Sequence, residues 1–188
     1  MNFDLTEEQI SIRDAAKDFA ENEIAPSAVE RDLNAEFPAE IVKKLGELGF
    51  MGMMASPEWG GACMDTVSYV LAIEEISKVD ASVGVIMSVN NSLVCYGLEK
   101  WGSDFLKEKY LKPLASGQKL GAFCLSEPEA GSDATQQKTE AVLEGDHYII
   151  NGIKNWITNG VYCDFYFLQA MTDKSKGYKG ISTFIIDK

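Results

Sequence analysis

The sequence has 188 residues, of which 46% are apolar and 24% are charged, and its formal net charge is -12. A chain of this length and composition buries one good core or two smaller ones. The excess of acidic residues argues against nucleic acid and against anionic membrane surfaces as partners, because both are bound mainly through Lys and Arg.

Residues 1–117 have the apolar spacing of helices. Thr6 followed by Gln9 resembles a capping box, which predicts a helix that begins there. The spacing of the apolar residues carries this helix to about Ile24, and Pro26 is predicted to end it.

The next two helices are predicted from their start and stop signals. The second begins with Pro38 as its first helical residue and stops at Gly49. Asp65 is predicted to cap the third helix. The wide apolar face of this third helix is predicted to contain Val67, Val70, Leu71, Ile73, Glu74 and Ile76.

Residues 81–98 are apolar on nearly all sides, which is typical of a helix at the centre of a core. Ser103 is predicted to cap the last helix, and Gly117 to close the helical half of the chain.

Residues 118–188 have the alternation of strands, broken by turn-forming residues. Gly145 and Asp146 are predicted to form a hairpin turn. The pattern predicts an antiparallel meander of about five strands, because successive strands joined by short turns pair with each other. Its strand-like runs are LGAFCLSE, TEAVLEGDHYIING, KNWITN, CDFYFLQAM and KGISTFIIDK. The final strand reaches Lys188 without a covering element, so we expect the domain to be incomplete.

Metal, disulfide and membrane sites are not indicated. The four cysteines, Cys63, Cys95, Cys124 and Cys163, form no C-x-x-C pair and are predicted to be reduced and mostly buried. The single histidine, His147, is predicted to lie in an exposed turn. No stretch approaches the roughly 20 apolar residues of a membrane span, and the N-terminus does not resemble a secretory signal. We therefore expect a cytoplasmic protein.

One candidate binding segment is FCLSEPEAGSD, from Phe123 to Asp133. Pro128 breaks the strand there, and the loop that follows exposes backbone amides and the hydroxyls of Ser126 and Ser132, which suit an anionic or carbonyl-rich ligand. An ordinary connection between a strand and a loop would have the same pattern. The segment contains neither the glycine pattern of a Rossmann turn nor that of a P-loop.

A second candidate segment is NWITNG, from Asn155 to Gly160. If it is a strand, Trp156 and Thr158 project to the same side, where an aromatic plane and a hydroxyl suit a flat heterocycle. The alternative is a core tryptophan beside a hydrogen-bonded threonine.

Together these segments resemble the two flavin-binding motifs of the acyl-CoA dehydrogenase family, here FCLSEPEAGSDA and NGIKNWITNG. The resemblance covers essentially the whole chain and is closest to the short-chain, butyryl-CoA type. Residues 45–61 and 69–93 fit the N-terminal helical domain of the family, and AMTDKSKGYKGISTFIIDK fits its middle β-domain. It implies an α+β fold, with an all-α domain at residues 1–117 and an incomplete antiparallel β-barrel-like domain at residues 118–188.

The resemblance also implies a cofactor, FAD, and the residues that bind it. Phe123, Cys124, Leu125 and Ser126 would run along the flavin ring, bonding it through backbone amides and the Ser126 hydroxyl.

The remaining implied contacts come from the loop and from the second motif. Gly131 and Ser132 would lie on the pyrophosphate and CoA side, with Ser132 also touching the thioester substrate. Trp156 would cover one face of the flavin with Ile157 beside it, and Thr158 would donate near the flavin atom N5.

The implied reaction is the FAD-dependent oxidation of a short-chain acyl-CoA to the trans-2-enoyl-CoA, with an electron-transferring flavoprotein as acceptor and a homotetramer as the assembly. In the family the catalytic glutamate belongs to a later helical bundle, so the base is expected beyond Lys188 and no catalytic residue within this chain. Glu127 is expected to be structural. The isolated chain is expected to be inactive, as a fragment of the enzyme.

Two alternatives remain open at this point. The chain could be a natural half-protein that acts as a non-catalytic binding or assembly module, or it could come from an oxygen-reactive acyl-CoA oxidase of the same fold.

Overall fold

The computed structural model describes residues 3–188, which divide into two compact units on either side of the bond between Lys119 and Leu120. The division lies close to the predicted change after residue 117. The first unit is helical and the second contains a β-sheet, and each has its own buried apolar residues. The predicted α+β class is therefore confirmed.

The helices of the first unit are Glu7–Phe19 (α1), Ala25–Asn34 (α2), Ala39–Glu47 (α3), Thr66–Val79 (α4), Ala81–Ser88 (α5), Tyr96–Trp101 (α6), Asp104–Leu106 (α7) and Lys112–Ala115 (α8). Wider π-helical turns at Ala20–Ile24, Val89–Cys95 and Lys107–Leu111 join α1 to α2, α5 to α6 and α7 to α8. Each of these three pairs follows one continuous helical path.

The start of α1 is confirmed and its predicted end is wrong. The Gln9 amide donates to Thr6 Oγ1 at 3.2 Å, and the Thr6 amide donates to Gln9 Oε1 at 3.0 Å, which forms the capping box. The helical path does not stop at Pro26 but continues to Asn34. The π-helical turn lies immediately before Pro26, and the proline falls in the first turn of α2, where its missing amide proton costs little.

The buried face of α4 also differs from the prediction. Asp65 caps the helix as expected, accepting from the amides of Val67 at 2.7 Å and Ser68 at 3.0 Å. Val67 and Val70 are nevertheless exposed. The buried residues are Ser68, Tyr69, Ala72 and Ile76. The helix is apolar on several sides, so the apolar residues alone do not identify the side that packs.

Pro38 immediately precedes α3, and Gly49 and Gly117 follow the ends of helices in the left-handed conformation, with φ of 79° and 72°. Glycine adopts this conformation without a steric penalty. The stop signals predicted at Gly49 and Gly117 are therefore correct.

The helical path from Ala81 to Trp101 contributes Val83, Met87, Val94 and Leu98 to the buried core, as predicted for residues 81–98. Its other side is exposed at Val85, Leu93, Tyr96 and Trp101. The path is 21 residues long with a mean hydropathy of 1.3 over its best window, so it does reach the length and composition of a membrane span. The expectation that no stretch approaches that length was wrong. Of the most apolar segment of the path, 56% is buried inside the protein. A core helix can reach the same length and hydropathy as a membrane span because it is buried in the protein.

The second unit contains the strands Gly121–Cys124 (β1), Glu140–Glu144 (β2), His147–Asn151 (β3), Phe165–Met171 (β4) and Ile181–Asp187 (β5). β2 pairs with β3 and β4 pairs with β5 in the antiparallel direction. β1 runs parallel to β4, and β2 meets β4 in the parallel direction at Glu140 and Met171. The sheet is therefore mixed, and the prediction of an antiparallel meander is wrong for these two pairings.

The cause lies in the chain between β3 and β4. The run KNWITN was predicted to be a strand, but it forms a series of turns in which Trp156 and Asn159 have φ of 57° and 68°. Left-handed residues interrupt a strand. The chain therefore enters β4 in the direction that makes it parallel to β1. The hairpin turn at Gly145 and Asp146 is present as predicted, with Gly145 at φ of 66°.

Candidate functional site

The two predicted binding segments lie side by side. The amide of Asn155 donates to the carbonyl oxygen of Ser126 at 2.9 Å. At the other end, Asn159 Nδ2 donates to the carbonyl oxygen of Gly121 at 3.0 Å. The turns of residues 154–159 therefore follow β1 and the residues just after it in the opposite direction.

Apolar packing holds the middle of this arrangement. Ala122, Cys124 and Cys163 form a buried cluster, and Ile157 packs against it. Burial raises the pKa of the Cys124 thiol to about 12, so it remains protonated at neutral pH. Ile157 thus fixes the second segment against β1 while the residue before it faces outward.

Trp156 is the most exposed aromatic residue of the site, with 94% of its surface accessible. The interpretation of a core tryptophan is therefore contradicted. Its backbone is in the left-handed region, which is unusual for a bulky side chain and carries a conformational cost. Trp156 and Thr158 do not share the face of a strand, because no strand forms there; Thr158 is half-buried. The exposed indole is thus held by a backbone conformation that costs free energy. Strained residues of this kind cluster at ligand sites.

The loop after β1 is organised by Glu127. Its backbone exchanges two hydrogen bonds with Ala130, at 3.0 and 3.2 Å, and its side chain is 3% exposed. The carboxylate accepts from the amides of Lys138 and Thr139 and from Lys154 Nζ at 2.8 Å. Burial alone would raise the pKa of Glu127, but the hydrogen bonds, led by the one from Lys154, lower it to about 2.

Lys154 connects this loop to both binding segments. Its side chain is 8% exposed, and its ammonium donates to the carbonyl oxygen of Leu125 at 2.9 Å, to Glu127 Oε1 at 2.8 Å and to Gln137 Oε1 at 3.0 Å. An ammonium has three N–H donors, and all three are used.

The other predicted residues differ in exposure. Phe123, Leu125 and Ser126 are half-buried, and the Phe123 ring stacks on Phe167 with a centroid distance of 5.9 Å. Gly131 and Ser132 are exposed in the loop. A Cβ atom added to Gly131 would meet nothing within 4 Å, so this part of the loop is open.

Sequence reasoning gave no individual role to Lys154 or Asn159, although both lie inside the second motif, and it did not identify Gln137 at all. The available signal was the pair of opposite charges, Glu127 and Lys154, each placed inside one of the two motifs. Burial of both side chains distinguishes this ion pair from an ordinary surface pair, and burial depends on the tertiary structure. The expectation that Glu127 is structural agrees with its ion pair.

Within residues 3–188, no group of three or more His, Cys, Asp and Glu side chains is arranged to hold a metal ion. All four cysteines are free, and only Cys63 among them is exposed, as the sequence predicted for most of the four. His147 is exposed at the start of β3, and its Nδ1 lies 3.2 Å from Asp146 Oδ1.

Comparisons with known proteins identify both units. Residues 6–118 match the model of the acyl-CoA dehydrogenase N-terminal domain, and residues 122–188 match the model of the acyl-CoA dehydrogenase middle domain. A short-chain specific acyl-CoA dehydrogenase of Clostridium acetobutylicum is 52% identical over 188 residues, which are 100% of this chain and 50% of that protein. The chain thus spans about half the length of the curated relatives it matches.

Solved structures agree with these matches. Butyryl-CoA dehydrogenase from Megasphaera elsdenii is 42% identical with a TM-score of 0.94, over 100% of this chain and 50% of that one. A structure described as the electron transferring flavoprotein of Acidaminococcus fermentans contains a chain that is 48% identical, with a TM-score of 0.97 and the same coverage of 100% and 50%. An FAD complex of PigA is 30% identical with a TM-score of 0.93, again over 100% and 50%. With two family models in chain order, this chain belongs to the acyl-CoA dehydrogenase family.

Proposed function

We propose that this chain supplies part of the FAD and acyl-CoA site of a protein that oxidises a short-chain acyl-CoA to the trans-2-enoyl-CoA. The names of its relatives support the reaction class and the short acyl chain. Since the chain spans half of their length, the activity is assigned to a longer protein that carries these residues.

The observation that carries the proposal is the exposed indole of Trp156 beside the end of β1. An aromatic plane without a partner suits a flat heterocycle, which it would cover by stacking. The backbone groups and hydroxyl of the neighbouring segment, residues 123–126, suit the polar edge of the same heterocycle. A flavin has both an extended plane and a polar edge, so the residues present fit FAD.

We assign Phe123, Cys124, Leu125, Ser126, Trp156, Ile157 and Thr158 to the flavin ring, and Gly131 and Ser132 to the pyrophosphate and CoA side, with Ser132 at the thioester. When bound, FAD supplies the acceptor for a hydride, and the protein supplies position and hydrogen bonds. Thr158 is proposed to donate near the acceptor atom. The packed Ile157 and the half-buried Phe123 would keep water from this region.

The partners follow from the same family membership. We propose that electrons pass to an electron-transferring flavoprotein, consistent with the A. fermentans structure, and that the whole enzyme is a homotetramer in the cytoplasm. The catalytic glutamate is proposed to lie in the part of the enzyme that this chain does not cover.

The test is a calorimetric titration of FAD into the full-length protein from which the flavin has first been removed. Trp156→Ala should weaken FAD binding by about tenfold or more, since stacking on the indole is lost. Trp156→Gly should weaken it equally and unfold at a higher temperature than Trp156→Ala, because glycine tolerates the left-handed backbone. Trp101→Ala, which removes a tryptophan that is 72% exposed in the helical unit, is the matched control and should change FAD affinity by less than about twofold.

Absence of FAD binding by the unmodified protein would overturn the proposal, and unchanged binding in both Trp156 variants would show that the flavin contacts are misplaced. Turnover of butyryl-CoA measured with an artificial electron acceptor and, separately, with oxygen as the acceptor distinguishes a dehydrogenase, which needs the artificial acceptor, from an oxidase, which turns over with oxygen. A protein that binds FAD but turns over no acyl-CoA would favour the binding-module alternative.

A further inference from the structure

We infer that the buried pair of Lys154 and Glu127 positions the two flavin-binding segments relative to each other, and so determines FAD affinity without touching the flavin. The inference rests on the proposed function, because it assigns a role to residues that adjoin the proposed FAD contacts. Both are positioning residues rather than catalytic ones.

The first argument is the connectivity of Lys154. Its three acceptors belong to three places along the chain: Leu125 directly after β1, Glu127 at the start of the following loop, and Gln137 near the end of that loop. Lys154 itself stands two residues before Trp156. One side chain thus joins the backbone of the first segment to the backbone that carries the indole.

The second argument is that Glu127 extends this connection. Its carboxylate accepts from the amides of Lys138 and Thr139 as well as from Lys154. The loop from Glu127 to Lys138 contains Gly131 and Ser132. Both ends of that loop are therefore tied to the same ion pair. The pair therefore also sets where the proposed pyrophosphate side of the site begins.

The third argument concerns energy. A buried ion pair contributes little net stability compared with an apolar replacement, because both charges must be removed from water. Removing one partner is costly, since it leaves the other charge buried and unpaired. Stability alone therefore does not explain a saturated ion pair at this place. Its specific effect is on geometry, and small displacements of binding groups are expensive for a preorganised site.

The experiment separates geometry from stability by comparing a single with a double variant of the full-length protein. Lys154→Met keeps most of the apolar stem and removes all three donors, and it leaves Glu127 buried without its partner. Glu127→Gln/Lys154→Met removes both charges. We expect Lys154→Met to unfold at a clearly lower temperature and the double variant to recover at least half of that loss.

FAD affinity should behave differently. The dissociation constant, measured by calorimetric titration well below the unfolding temperature, should rise by about tenfold or more in Lys154→Met and should stay raised in the double variant. The carbonyl oxygen of Leu125 has lost its tie to residue 154 in both. If Lys154→Met does not fold, the double variant alone provides the comparison with the unmodified protein.

The matched control is Arg31→Met in the helical unit. Arg31 and Asp80 form a similarly buried pair, with side chains 8% and 12% exposed and a separation of 2.7 Å. Removing Arg31 should lower the unfolding temperature as Lys154→Met does, but it should change FAD affinity by less than about twofold.

Two results would overturn the inference: an unchanged dissociation constant in the folded Lys154 variants, or an affinity that recovers together with stability in the double variant. Either result leaves the proposed function intact if the unmodified protein binds FAD and Trp156→Ala weakens that binding. Failure of the unmodified protein to bind FAD would instead reject the proposed function.

Discussion

Glu127 is a carboxylate whose ionised form is stabilised by the fold, and this makes the stability of the protein depend on pH in a defined direction. Hydrogen bonds lower its pKa from 4.5 to about 2 despite the opposing effect of burial. The resulting stabilisation is present above the pKa of the unfolded state and is lost as the pH falls through about 2. A difference of this size corresponds to at most about 3 kcal/mol.

We therefore expect the unmodified protein to be more stable than its Glu127→Gln variant by up to about 3 kcal/mol at pH 7. This advantage should shrink as the pH falls below about 4.5, the ordinary pKa of the residue. Urea unfolding of both proteins at several pH values between 7 and 3 measures the difference directly. A difference that is constant over this range would mean that Glu127 does not retain its charge in the way its hydrogen bonds indicate.

At the scale of single residues, the sequence identified groups whose residue type suits a ligand. It did not identify groups whose role depends on being buried. Trp156 was selected because an aromatic residue beside hydroxyls suits a planar ligand, and the structure shows its side chain bare. Lys154 was not selected: it begins the strand-like run KNWITN, and lysine side chains are mostly exposed in proteins. Its three hydrogen bonds join residues far apart in sequence, and no local pattern indicates them.

Among the elements, the helical path from Ala81 to Trp101 is fixed by Asn91 to the loop between α3 and α4. Its Oδ1 accepts from the Met53 amide at 2.8 Å, and its Nδ2 donates to the carbonyl oxygens of Phe50 at 2.8 Å and Met87 at 2.9 Å. All of these groups are buried, so removing the amide leaves backbone groups of the loop without partners.

Asn91→Ala should destabilise the protein by about 3 kcal/mol, because unsatisfied buried polar groups lose their solvation without compensation. Chemical denaturation measures the change. Asn22→Ala is the control, since the Asn22 amide is exposed and donates to Asp18 at 2.8 Å, and it should change stability by less than about 0.5 kcal/mol. Equal effects of the two substitutions would contradict the role assigned to Asn91.

Helix starts were predicted well because capping is local: Thr6 with Gln9, Asp65 and Ser103 each bond to amides within three residues. The end of the first helix was predicted wrongly, because the π-helical turn before Pro26 has no clear sequence signal. The segment around Trp156 was taken for a strand because its composition is strand-like. Its left-handed residues, Trp156 and Asn159, occur where the segment packs and hydrogen-bonds against β1, and such tertiary contacts leave no local pattern in the sequence.

The chain as a whole is built from two units with separate cores, and its stability is expected to be divided in the same way. Asn91→Ala should increase amide hydrogen exchange mainly in residues 3–119, and Lys154→Met mainly in residues 120–188. Hydrogen-exchange mass spectrometry of both variants tests this and the predicted domain boundary after residue 117. A uniform increase over both units would show that they unfold as one cooperative body.

The division itself was predictable, since the period of the apolar residues changes from helical to alternating near residue 117. The family was also predictable, because two motifs occurred together in the expected order. The parallel pairing of β1 with β4 was not, since strand direction depends on the path of the intervening turns and not on the alternation within a strand.

The exposure of Trp156 has an optical consequence. An indole that is 94% accessible emits as tryptophan does in water, and a planar acceptor stacked on it quenches that emission. The residue proposed to recognise the cofactor would therefore also report its arrival, in unlabelled protein and in real time. Trp59 and Trp101 also emit, so the part of the fluorescence change that disappears in Trp156→Ala would be the signal that follows the filling and emptying of the site.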